Sequence, residues 1–207
     1  MKSNGFKYLV LLFLMTSFSA HGLLYIDPYV GYAVQGTSKF QNSLMNAEAD
    51  YNSINYGLRV GVSSSPVAAG VQVDMGMGDY KWTDLTNGGE CSDNCDEMDA
   101  QNIGVFVNFD LPILFRAYGA FFPSAKLTDG NDSKGQFQSG SELSGTGMMI
   151  GAGYTGIPFI SLNLEYRTFT YDELKDNSGS SDLPVDGQSE VDLTQILFSI
   201  SAPFDFL

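Results

Sequence analysis

The chain has 207 residues, 43% of them apolar and 13% aromatic, with 23 glycines and a formal charge of −14 from ten basic and 24 acidic side chains. Cations this few and this scattered exclude a nucleic-acid partner, because phosphate binding needs clustered Lys and Arg. The length suits one domain.

Residues 1–22 read as a secretory signal. Met1, Lys2 and Lys7 lead into the apolar run 8–15 and a small, polar stretch over 16–22. That run is too short for a spanning helix, which needs about 20 apolar residues. Ala20, His21 and Gly22 put small residues at the −3 and −1 positions, so cleavage is expected after Gly22, with Ala20 as the other candidate. Removal takes away Lys2 and Lys7 and no acid, which leaves residues 23–207 with eight basic and 24 acidic side chains and a charge of −16. No later segment reaches the length of an apolar spanning helix, which excludes a helical membrane protein.

From residue 23 onward the chain alternates apolar and polar residues, the period of a half-exposed strand. Pro66, Pro112, Pro158 and Pro203 follow one another at intervals of 46, 46 and 45 residues, a hairpin-length period. Proline cannot donate to a β-ladder and gathers at strand ends and turns. Three tight turns are therefore expected at one rim, at 63–66, 110–112 and 155–158, with Pro28 and Pro203 near the same rim. Four polar stretches at 36–53, 81–98, 123–141 and 172–190 read as long loops at the other rim. Short turns on one side and long loops on the other describe an outer-membrane barrel.

Eight strands follow, each with one face free of charge. Examples in chain order are Val30, Tyr32 and Val34; Tyr56, Leu58, Val60 and Val62; Ile103, Val105 and Val107; Ile160, Leu162, Leu164 and Tyr166. The alternate positions carry Asp27, Arg59, Asp74, Arg116, Glu165 and Arg167 together with glycines and amides. A strand facing lipid must present only apolar side chains to it. A soluble lipocalin-like barrel inverts the pattern, with apolar residues inside. The expected fold is all-β, an eight-stranded antiparallel up-and-down transmembrane β-barrel. Tyr25, Tyr29, Tyr80, Trp82, Phe109, Phe121, Phe122, Phe159, Phe169, Tyr171 and Phe204, near presumed strand ends, are expected to form interfacial girdles.

The signal peptide, the four proline-marked hairpins and the closing strand 191–204 resemble the transmembrane domain of outer-membrane protein A and its relatives. The resemblance covers residues 23–207 and lies in architecture, with no catalytic or ligand motif matched. It implies residence in the bacterial outer membrane, contact with its lipids and lipopolysaccharide, and recognition by the barrel-assembly machinery. That machinery commonly reads a terminal aromatic, and this chain ends Phe204-Asp205-Phe206-Leu207, so Phe206 or Phe204 would carry the signal. Because the sequence stops with the closing strand, the periplasmic domain of some relatives is not expected.

For chemistry, the lone His21 falls within the signal, and the resemblance implies that barrel enzymes use a histidine as general base. No catalytic residue, cofactor or metal site is therefore expected. A disulfide between Cys91 and Cys95 in the second loop is the favoured reading in an oxidising compartment, ahead of free thiols. An inward ionic set of Asp27, Arg59, Asp74, Asp110, Arg116, Glu165 and Arg167 is expected. Arg59 and Glu165 lie seven residues from the nearest rim proline, Asp74 eight and Arg167 nine, which puts these four in one belt. The belt, with Arg116, is read as a charge network that braces the barrel, or else as the constriction of a narrow pore. Acidic loops attract divalent cations. The stretch 129–133 alternates oxygen ligands, but Lys134 stands where a calcium hand needs glycine and its twelfth-position glutamate is absent. The expected role is non-enzymatic, structural or surface-interacting, with a narrow channel as the alternative and a lipid-modifying enzyme as a distant third.

Overall fold

The computed structural model describes residues 23–41, 46–84, 96–129, 141–176, 179–182 and 191–206. The signal segment 1–22 and Cys91 and Cys95 lie outside them. Seven long antiparallel strands follow in order: β1 Leu23–Gln41, β2 Asn46–Ser64, β3 Val67–Asp84, β4 Asp96–Leu111, β5 Phe115–Asp129, β6 Glu142–Ile157 and β7 Ile160–Asp176. A short arm, β8 Gly179–Asp182, folds back on the end of β7. The eighth wall strand is β9 Val191–Ser201 continued by β10 Phe204–Phe206, and its pairing with both β7 and β1 closes the barrel. The break between β9 and β10 falls at Ala202 and Pro203. Pro203 has no N–H to offer there and neither does Pro28 on β1; one bond, Ala202 N–H to the Pro28 carbonyl at 3.0 Å, crosses the seam.

The side-chain period of two sorts the faces. Val30, Tyr32, Leu58, Val62, Val105, Ile150, Leu164 and Phe198 are exposed, whereas Asp27, Arg59, Asp74, Glu165 and Arg167 are 0–1% exposed. A register slip of one residue would turn each arginine of a strand into lipid, at roughly 2–4 kcal/mol apiece near the bilayer centre. The outward apolar row of β3 runs from Val67 to Met77. Ten steps at ~3.3 Å and a tilt of ~40° rise about 25 Å, the height of an outer-membrane apolar band.

The strands run on into the polar stretches read as long loops. β1 continues to Gln41, β3 to Asp84, β5 to Asp129 and β7 to Asp176, while β2, β4 and β6 begin at Asn46, Asp96 and Glu142. Their outward residues, such as Asp50, Asp79, Glu97, Asp99 and Asp172, are exposed and polar because they stand above the lipid. Polarity there marks the exit from the membrane, not the end of a strand. In this extension the inside turns apolar: Tyr51, Met98, Phe122, Leu127, Leu143, Phe169, Tyr171 and Leu193 are at most 4% exposed and pack as one core. The barrel thus has a lower storey with polar contents and an apolar coat, and an upper storey built like a soluble barrel.

That core corrects the girdle assignment. Phe122, Phe169 and Tyr171 are inside it, and Tyr25 and Tyr29 point into the lumen below. Nearness to a strand end does not decide a face; parity does. Phe109, Phe121, Phe159 and Phe204 do face outward. Pro123, expected in a loop, sits instead in β5 at an irregularity between Phe122 and Ala125, which switches the inward set from even to odd numbers.

On the outer wall of the extension, Lys126 Nζ lies 2.9 Å from Glu142 Oε1. Its hydrogen bond holds the Glu142 carboxyl below the ordinary glutamate range. A lowered folded-state value contributes stability above the unfolded value, lost as pH falls through the folded one. Both groups are partly exposed to water, so Glu142→Gln should cost under ~0.5 kcal/mol in urea titrations at neutral pH and nothing well below pH 4.

Two tight turns hold bulky residues in left-handed backbone: Leu114 at φ 61° and Phe159 at φ 63°. Each lies within a proline-led turn, at a position that favours Gly or Asn. The conformation costs an L-residue with a side chain about 1–2 kcal/mol.

Candidate functional site

The lower storey is crossed by one connected set of side chains. Arg59 on β2 reaches Asp27 Oδ2 of β1 with Nη1 at 3.1 Å and Glu165 Oε1 of β7 with Nη2 at 2.8 Å. Its Nε donates to Gln72 Oε1 at 3.1 Å. Arg167, two residues beyond Glu165, donates to Glu165 Oε2 from Nη2 at 2.5 Å and from Nε at 2.9 Å. Its Nη1 donates to Asp74 Oδ2 of β3. Arg116 of β5 shares Asp27 Oδ2, with Nη2 at 3.1 Å, and also bonds Asn163 Oδ1, the Tyr25 hydroxyl and Ser201 Oγ.

Traced in order, the pairs run Arg116, Asp27, Arg59, Glu165, Arg167, Asp74. Signs alternate throughout, and every inner member has an opposite charge on each side. Three positive and three negative groups cancel, each with a side chain no more than 2% exposed. Burial costs several kcal/mol per ion, offset only where geometry is good and the remaining hydrogen bonds are made. For Glu165, at the centre of the chain of pairs, they are made: it also accepts from the Tyr118 hydroxyl at 2.8 Å and from Ser199 Oγ at 3.3 Å.

The Arg59 guanidinium is held between two rings, its Cζ 4.5 Å from the Tyr29 centroid and 4.6 Å from that of Tyr118. Both rings lie over glycines on the neighbouring strand. Tyr29 is paired with Gly57 and Tyr118 with Gly151; a Cβ would stand 2.5 Å from the Tyr29 hydroxyl in the first case and 2.5 Å from Tyr118 Cζ in the second. Those glycines leave no cavity, because the tyrosines lie across them.

Arg59, Asp74, Arg116, Glu165 and Arg167 are all brought together, and Asp27 joins them as the bridge between Arg59 and Arg116. Asp110 does not: it is exposed at the rim, where it accepts from Asn108 Nδ2 at 3.1 Å. Its place two residues from Pro112 puts it level with the turns, below the belt. The sequence leaves open whether inward glycines such as Gly57 and Gly151 form cavities or accommodate Tyr29 and Tyr118; the structure shows the second, and the stacking of both rings on Arg59 is what sequence reasoning missed.

The arginines of this chain are Arg59, Arg116 and Arg167 alone, so all of them are in the belt, and every other cation is lysine. Only arginine offers a planar fork that can serve two carboxylates and stack on rings at once. The belt takes equal numbers of both signs, so the −16 of residues 23–207 lies wholly outside it, on five lysines and 21 acids. Among the described residues no group of three or more His, Cys, Asp or Glu side chains is placed to hold a metal ion.

No protein-family model matches the sequence, and no curated protein matches it. Solved structures do. Ail, the attachment invasion locus protein of Yersinia pestis, in complex with the heparin analogue sucrose octasulfate, is 11% identical, with a TM-score of 0.50 over 89% of this chain and 100% of that one. Neisserial surface protein A is 16% identical, with a TM-score of 0.49 over 87% and 97%. OprG from Pseudomonas aeruginosa is 12% identical, with a TM-score of 0.49 over 88% and 96%. At this identity the likeness to Ail is one of fold. With eight closed strands, an apolar coat about 25 Å tall and, at the height of that coat, charges only on the lumenal face, the chain is a small integral β-barrel of the bacterial outer membrane.

Proposed function

We propose that the protein is a non-conducting, non-enzymatic envelope barrel whose rigid body presents acidic extracellular segments as its interaction surface. The observation that carries this reading is the double filling of the lumen. A self-neutralised ionic belt lies below and an apolar core above, and a solvated ion meets both. The carboxylates of the belt are committed to arginines, and the lone histidine precedes the barrel, which favours a role outside catalysis.

The partners of this reading are lipopolysaccharide, divalent cations at the acidic segments, and the assembly machinery through Phe206 or Phe204. A polysulfate such as the one bound to Ail is the wrong charge for a surface carrying −16. A second reading, a narrow conduit, draws on Asp27 Oδ1, Asp74 Oδ1, Asn102 Oδ1 and Asn108 Oδ1, buried oxygens with no protein donor. Water would serve them.

Single-channel recording on the refolded barrel separates the two. Silence is the expected result. Steps whose ion selectivity changes in Asp74→Asn would establish the conduit instead.

A further inference from the structure

The periplasmic rim is uneven. The β2–β3 turn is Ser64, Ser65 and Pro66, whereas the β4–β5 turn exposes Ile113 by 67% and Leu114 by 57%, and the β6–β7 turn exposes Phe159 by 76%. Phe159 is the most exposed large apolar side chain among the described residues. Residues 111–115 and 157–160 carry no charge.

The two turns form one structure. Thr155 N–H donates to the Leu114 carbonyl at 2.8 Å, and Phe115 packs on Tyr154 with ring centroids 5.5 Å apart. Through those rings the apolar turns run without interruption into the membrane-facing coat of β4 to β7. Leu114 and Phe159 occupy left-handed positions where Gly or Asn would be relaxed. In water the chain would bear that strain and expose apolar surface as well; under lipid the surface is covered.

We propose that these turns are a single apolar knuckle submerged in the inner leaflet of the outer membrane, covered by phospholipid. The barrel then sits deeper on its β4–β7 side than on its serine-rich β2–β3 side. Continuity with the membrane-facing coat selects lipid over a second copy or a periplasmic protein.

Depth-resolved fluorescence tests this. In a Trp82→Phe background, Phe159→Trp or Leu114→Trp supplies a lone reporter in the refolded barrel, in phosphatidylcholine vesicles with or without brominated chains. Unheated electrophoretic mobility checks that each variant is folded. Both reporters should be quenched by brominated chains and shielded from iodide, while a reporter at Ser65→Trp should show the reverse. Iodide-accessible reporters that brominated lipid leaves bright would overturn the proposal. So would shielding that develops only as the protein-to-lipid ratio rises, since a second copy would then be the cover.

Discussion

Replacing Glu165 with alanine should remove about 3–5 kcal/mol of unfolding free energy, the usual consequence of leaving a buried charge without its partner. Glu165 is the one carboxylate that joins two arginines through both of its oxygens, and it also receives Tyr118 and Ser199. Its loss leaves Arg59 with Asp27 as its only carboxylate and Arg167 with Asp74 as its only carboxylate among the described residues, so the belt becomes net cationic. Urea titration of the vesicle-inserted barrel, read by electrophoretic mobility, measures the change. A loss under about 1 kcal/mol would mean that water already solvates these arginines.

The second large effect lies on the other face. Leu164 is 46% exposed near the middle of the outward row of β7, between Leu162 and Tyr166. Leu164→Arg should cost about 2–4 kcal/mol, as for a charge at the bilayer centre. Asp172→Arg, eight residues further along the same face and above the coat, should change stability by under ~0.5 kcal/mol. Equal effects at the two positions would put the membrane boundary in the wrong place.

These two expectations draw on the part of the structure most legible in the sequence. Alternation at a period of two needs no knowledge of distant contacts, and one face of every wall strand lacks charge over the stretch that crosses the membrane. Arg59 and Arg167 could therefore be put inside the barrel, at a common height, by counting from Pro66 and Pro158. Who pairs with whom was not legible. Arg59 and Glu165 are 106 residues apart, and their meeting depends on barrel closure and stagger, which no local pattern encodes. Asp27 became the bridge to Arg116 for the same reason.

The errors share a cause. Polar residues above the lipid face water on the outer wall, so β1 to β7 looked shorter than they are, and the apolar interior of the extension went unseen. Nearness to the membrane boundary points Phe122, Phe169 and Tyr171 outward on sequence grounds, although they fill the core. The irregularity at Pro123 compounds this: beyond it Ala125, Leu127 and Asp129 face inward, where unbroken alternation would have turned them out.

A self-neutralised arginine belt ties β2 to β7 across the lumen. A double-mutant cycle of Arg59→Met and Glu165→Gln, measured by urea titration in vesicles, tests it most directly. A coupling of at least ~1.5 kcal/mol is expected, with the double variant less damaged than the single costs combined; additivity within about 0.5 kcal/mol would rule the tie out.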